Sequence, residues 1–135
     1  MLSQTVTDNR IEIIPVIKDF DGSALKGPNS MVLSEKKNSL FFTDSGPLGE
    51  SSLENPTGSL FVIDLNVSML KPIIYGSLAH PSGLAMNDVK NVLYVAETLK
   101  NRILRVVLNE LGVFHTSVFH QFSGRLGPSA IAIGE

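Results

Sequence analysis

The sequence predicts an all-β chain built from repeated four-stranded antiparallel sheets, and three observations lead there. A phrase recurs: Gly27-Pro28-Asn29-Ser30-Met31-Val32-Leu33 with Leu40-Phe41-Phe42-Thr43-Asp44 returns as Pro81-Ser82-Gly83-Leu84-Ala85-Met86 with Leu93-Tyr94-Val95-Ala96-Glu97. It begins a third time at Gly127-Pro128-Ser129-Ala130-Ile131-Ala132-Ile133. The anchoring prolines, Pro28, Pro81 and Pro128, are 53 and 47 residues apart, the length of one four-stranded propeller blade rather than of a helical repeat. Finally, apolar runs of four to eight residues alternate with Gly, Pro, Asn, Asp and Ser, and no window holds a helical apolar stripe.

Taken in order, the runs predict strands at Ile11–Ile17, Met31–Leu33, Leu40–Thr43, Leu60–Asp64 and Leu70–Tyr75. They continue at Leu84–Met86, Val92–Ala96, Ile103–Leu108, Val113–Phe119 and Ala130–Ile133. Each unit reads as a short first strand, a polar hairpin turn (34–38, 87–91), a buried second strand, a third strand and a more amphipathic fourth. The link from second to third strand is Thr98-Leu99-Lys100-Asn101 in the later unit and the long Ser45–Gly58 loop in the earlier one. Residues 1–10 read as an N-terminal extension and 11–20 as the outer strand of a preceding blade. Residues 28–80 and 81–127 read as two full blades, and 128–135 as the first strand of a next one. About two blades cannot close a propeller, which needs about four or more. The chain is therefore read as a fragment or truncated form of a longer protein, with a complete two-layer β domain as the rival.

Composition bounds function. Charged residues are 18% and the net charge is −2, so no long-range field favours nucleic acid or an anionic membrane surface. The absence of cysteine removes thiolate nucleophiles and thiolate metal sites and suits a reducing compartment. With no signal-like start and no long apolar window, the expectation is a cytoplasmic chain.

An up-and-down sheet puts the start of its first strand beside the end of its second. Asn29, Ser82 and Ser129 are therefore expected on one rim with Asp44, Glu97, the Ser45–Gly58 loop and His80. Short polar residues after a proline often bond local backbone, and recurring carboxylates at repeat-equivalent positions often do the same. The alternative is a ligand rim facing the central channel, with Asn29, Asp44, Ser82 and Glu97 as substrate contacts. His80 reads as a solvated loop histidine. His115 and His120, five apart, read as facing opposite sides of their strand, unable to share a metal. No nucleophile with an adjacent base is legible, so no catalytic residue is named.

These phrases carry a resemblance. Pro28-Asn29-Ser30-Met31-Val32 with Leu40-Phe41-Phe42-Thr43-Asp44-Ser45-Gly46 resembles a stretch of the gluconolactonase and senescence-marker-protein (regucalcin, SMP-30/LRE-like) family. Pro81-Ser82-Gly83-Leu84-Ala85 with Leu93-Tyr94-Val95-Ala96-Glu97-Thr98 and Asn101-Arg102-Ile103 resembles a phrase shared with strictosidine-synthase-like propellers. The resemblance implies a six-bladed β-propeller and, in the full-length protein, hydrolysis of a lactone at the central rim with a divalent metal, Ca²⁺ or Zn²⁺. The fragment alone is then expected to be inactive, with the missing blades of the same protein and a small-molecule ligand as its partners. Asn29 matches the family's substrate-side asparagine. Ser82 stands where an asparagine ligand is expected and Ser129 where an aspartate ligand falls. Hydroxyls there are poor ligands for Ca²⁺ or Zn²⁺, and a non-catalytic propeller scaffold is the alternative function.

Overall fold

A computed structural model describes residues 2–7, 10–15, 17–47, 49–109, 114–125 and 127–134. Val16 and Val113, which the sequence places in strands, and Glu135 lie outside the described residues. Among the described residues every regular element is a strand, apart from one 3-10 turn at Thr98–Lys100.

Two four-stranded antiparallel sheets make up most of the molecule. The first runs β5 (Pro28–Ser34), β6 (Ser39–Asp44), β7 (Gly58–Asp64) and β8 (Met69–Leu78), each strand bonded to the next in sequence. The second repeats that order with β9 (Pro81–Asn87), β10 (Val92–Glu97), β11 (Arg102–Leu108) and β12 (Phe114–Gln121). Ahead of them lie two hairpins, β1 (Leu2–Thr7) with β2 (Arg10–Pro15), and β3 (Asp19–Phe20) with β4 (Ser23–Ala24).

Asparagine sets the turns. Asn38 and Asn91 close the β5–β6 and β9–β10 hairpins at φ of 48° and 54°, a left-handed conformation that Asn tolerates better than most residues. The carbonyl of each then accepts the N–H at or just past the end of the third strand, from Leu65 at 3.0 Å and from Leu108 at 2.9 Å. The same bond in both units shows that the sequence repeat is a structural one.

The sheets pack face to face. Phe41 and Leu60 of the first meet Leu84, Leu93, Val95, Leu104 and Val106 of the second in one buried cluster. The opposite face of the first sheet buries Phe42, Phe61 and Ile63 under Ile17, Phe20 and Leu25. β6 and β10 are thus covered on both faces, which is why they read as near-continuous apolar runs, whereas β12 is mostly exposed. First strands β5 and β9 lie beside each other, as inner strands of successive propeller blades do. Gly58 sits at that junction: a Cβ there would stand 2.3 Å from Pro81 Cδ and 2.8 Å from the Leu78 carbonyl oxygen. Gly58→Ala is expected to cost about 1–3 kcal/mol by overpacking, read as a lower urea midpoint.

Three features differ from the sequence reading. Residues 2–7, taken as part of an extension, pair with 10–15 in register from Leu2↔Pro15 to Thr7↔Arg10. Residues 19–24 form a two-residue-per-arm hairpin, β3–β4, too short to leave an apolar run. Residues 127–134, expected as a first strand, run along β9 without a ladder: Ala130 Cα lies 2.9 Å from where a Gly83 Cβ would stand. An inner strand draws its ladder from the next strand of its own sheet, and no such partner lies among the described residues.

Candidate functional site at the rim of the two sheets

The ladders place the predicted rim residues together, because Pro28 pairs with Asp44 and Pro81 with Glu97. Asn29, Ser82 and Ser129 hold equivalent positions on three successive inner segments. What their side chains do differs from one to the next.

Both carboxylates are turned onto the chain that links one sheet to the next. Asp44 accepts from the backbone N–H of Lys26 at 3.0 Å and of Gly27 at 2.7 Å. Glu97, fully buried at 0 % exposure, accepts the Ala79 N–H at 2.8 Å through Oε2 and the Arg102 Nε–H at 2.6 Å through Oε1. Lys100 Nζ stands 3.8 Å from Oε2. Lys26 and Ala79 are each two residues before the proline that opens an inner strand, so the two acids fill one structural role. A second backbone bond repeats as well, with Gly46 N–H donating to Gly27 O and Thr98 N–H to His80 O, both at 3.2 Å.

Ser82 is also engaged. Its hydroxyl lies 2.5 Å from Thr98 Oγ1, which donates to Pro128 O at 2.7 Å; Ser82 Oγ itself lies 3.4 Å from that carbonyl. The two hydroxyls tie β9 to the segment beside it. Asn29 is exposed, donating through Nδ2 to Ser45 Oγ at 3.1 Å, which leaves its carbonyl oxygen available. Ser129 is exposed.

The histidines require corrections. His80 is not a solvated loop residue: it is 7 % exposed, its backbone is held at φ 53°, and its Nδ1 is enclosed without a partner. The long 45–57 loop causes this. Buried Ser51 donates to Leu78 O at 3.1 Å and accepts from Thr57 N–H at 3.1 Å and His80 N–H at 3.4 Å, clamping the loop over the link. His115 and His120 stand opposite Val107 and Ile103, on one face, because the register slips at Phe119. Their partners are four positions apart along β11, roughly 13 Å, so they do not share an ion.

A divalent metal fits poorly here. Among the described residues no group of three His, Asp or Glu side chains is placed to hold one. Ser82 brings a neutral hydroxyl already committed to Thr98 and Pro128, and the nearest carboxylates saturate backbone N–H groups and Arg102.

Sequence reasoning missed Thr98, Ser51 and the Glu97–Arg102 pair. Thr98 and Arg102 stand inside the repeated phrase, so repeat equivalence offered a signal for them; nothing local marks Ser51. It also missed a cavity of about 240 Å³ on the outer side of the rim, bordered by Phe20, Lys26, Asp44, Ser59, Phe61 and Tyr75. No helix among the described residues is long and apolar enough to cross a membrane.

Paired four-stranded sheets with adjacent first strands and repeated rim bonds define part of a β-propeller, an arrangement that solved gluconolactonase structures share. The chain is 30% identical over 131 residues to lactonase drp35 of Staphylococcus aureus (strain MW2), covering 94% of this chain and 38% of that protein. It is 30% identical over 103 residues to lactonase drp35 of Staphylococcus epidermidis, covering 73% of this chain and 30% of that protein. A solved gluconolactonase-type structure superposes with a TM-score of 0.64 at 27% identity, covering 79% of this chain and 38% of the other. The gluconolactonase XC5397 of Xanthomonas campestris superposes with a TM-score of 0.70 at 20% identity, over 96% of this chain and 44% of the other, a likeness of fold. No family model matches the sequence. The chain thus spans less than half the length of the relatives it matches.

Proposed function

We propose that this chain is part of a lactonase-like propeller whose central rim binds a small hydroxylated or lactone ligand, and that lactone hydrolysis belongs to the ring completed by further blades of the same protein. The observation that carries the reading is the rim itself. Asn29, Ser82 and Ser129 recur on successive inner segments of a fold whose relatives are lactonases. Asn29 is the leading contact, since its carbonyl oxygen can accept a ligand hydroxyl while Ser45 fixes the amide. Ser82 shapes the wall, and Asp44 and Glu97 hold the links that keep the rim in register. The ligand is drawn from the cytoplasm, which a cysteine-free chain suits; neither nucleic acid nor membrane is a partner.

A metal-assisted version of the activity would need ligands beyond the described residues, so no step is assigned to a metal here. The test is titration of the protein with gluconolactone, followed by amide chemical shifts. Saturable shifts at residues 29, 45 and 82 are expected, and Asn29→Ala should weaken binding about tenfold, the effect of one lost hydrogen bond. Shifts elsewhere only, or unchanged affinity in the variant, would reject the rim site.

One observation favours a second reading, a propeller scaffold without catalysis: Ser82, Asp44 and Glu97 all have their bonding satisfied inside the protein. A full-length protein that opens no lactone, with or without added divalent metal, would support it.

A further inference from the structure

The cavity of about 240 Å³ on the outer side of the rim lies between the link that leads into β5 and the strands β7 and β8. Its walls belong to this chain. The face of the first sheet on which it opens already buries Phe42, Phe61 and Ile63 under Ile17, Phe20 and Leu25, so it is not a surface left bare at either end. One side of the cavity is aromatic. Phe20 lies 5.4 Å from both Phe61 and Tyr75, and Phe61 lies 6.0 Å from Tyr75, ring centroid to centroid, so the three rings form a continuous wall.

The other side is polar, and its groups have bonding capacity left over. Thr57 Oγ1 is enclosed yet has no hydrogen-bond partner among the described residues, a costly arrangement for a buried hydroxyl. Asp44 is 5 % exposed; its two oxygens accept one backbone N–H each, from Gly27 and from Lys26, and each keeps a second lone pair. Ser59 Oγ accepts the Gly76 N–H at 2.9 Å, which leaves its own O–H to donate. Lys26 Nζ donates to Thr57 O at 3.2 Å. One carboxylate and one ammonium balance, so the cavity suits a neutral guest. A water would satisfy the Thr57 hydroxyl but leave the aromatic wall unused.

We propose that this cavity is a second binding site, for a small phenol: one aromatic ring carrying a hydroxyl. The ring lies against Phe20, Phe61 and Tyr75, while the hydroxyl donates to Asp44 and accepts from Thr57 Oγ1. Apolar walls with a few convergent polar groups are the usual make-up of a small-molecule pocket. Size agrees, since an apolar cavity of about 150 Å³ holds benzene and this one, at about 240 Å³, has room for a substituted ring. Asn29, Ser82 and Ser129 do not line it. The inference rests on the cavity and not on the rim ligand.

Titration of the 135-residue chain with p-cresol, followed by amide chemical shifts, tests it. Saturable shifts are expected at residues 20, 26, 57 and 76, and toluene, which lacks the hydroxyl, should bind about tenfold more weakly. Thr57→Val keeps the shape of the side chain and removes only an unpartnered hydroxyl. The variant should therefore fold as stably as the parent and bind p-cresol about fivefold more weakly, with toluene unchanged. No saturable shift at those residues, toluene binding as tightly as p-cresol, or unchanged p-cresol affinity in Thr57→Val would each overturn the proposal. If the Thr57→Val protein does not fold, the comparison of p-cresol with toluene on the unmodified chain decides. Gluconolactone, expected at residues 29, 45 and 82, should leave the p-cresol shifts in place, so either site can fail without the other. Displacement of p-cresol by gluconolactone would make the two one site and overturn the second.

Discussion

Glu97→Ala is expected to destabilise the protein by about 3 kcal/mol, the largest effect of any polar substitution here. The loss has two parts. The Ala79 N–H, which Glu97 Oε2 accepts at 2.8 Å, becomes a buried donor with no partner. The Arg102 guanidinium, 2.6 Å from Oε1, loses its counter-charge while three-quarters covered. Lys100 at 3.8 Å adds little, since it is partly exposed and screened. Glu97→Gln separates the parts. Its amide oxygen can still accept from Ala79 but brings no charge to Arg102, so roughly half the loss should return. Urea unfolding of the three proteins gives the comparison. An alanine variant within about 0.5 kcal/mol of the parent would show that the carboxylate is not the inter-sheet tie the geometry describes.

Phe61→Ala is expected to cost about 3–5 kcal/mol, the usual range for emptying a buried aromatic site. Phe61 is 1 % exposed and stacks on Phe42 with ring centroids 5.3 Å apart. It also meets Phe20 at 5.4 Å and Tyr75 at 6.0 Å. The β3–β4 hairpin bears on the first sheet through Phe20, so its near-ultraviolet signal should fall along with the midpoint. Val89→Ala, on an exposed turn, supplies the reference and should leave stability within about 0.5 kcal/mol. A Phe61→Ala protein as stable as that reference would mean that this face of the sheet is not a core.

Much of the architecture was legible before any coordinates, and particular residues show why. Leu40–Thr43 and Val92–Ala96 could be read as buried second strands because strands covered on both faces have no polar positions to interrupt them. Leu2–Thr7 could not, since its Ser, Gln and Thr residues make no apolar run, and only pairing with Arg10–Pro15 defines it. The histidines of β12 show another limit. Counting by twos put His115 and His120 on opposite faces, and one extra residue at Phe119 reverses that count. A bulge changes which way a side chain points without leaving a mark in the residue types nearby.

The rim followed the same division. Equivalence between Asp44 and Glu97 was visible in the repeat, but an acid at a strand end reads alike whether it faces a ligand or a backbone N–H. Their partners, Lys26, Gly27, Ala79 and Arg102, come from a neighbouring strand or from the link between sheets, 5 to 18 residues away. His80 went unrecognised as buried because its cover is Ser51, 29 residues earlier, in a loop of unremarkable composition.

By itself, the sequence determined the repeating unit, its strand order and its turns, since these depend on alternation, on Pro, Gly and Asn, and on spacing, all local properties. Only the tertiary structure decided which polar groups are already satisfied, which histidine is covered and which faces are left apolar. Those outcomes depend on atoms brought within about 3 Å from distant parts of the chain, and no window of sequence contains both halves of such a contact.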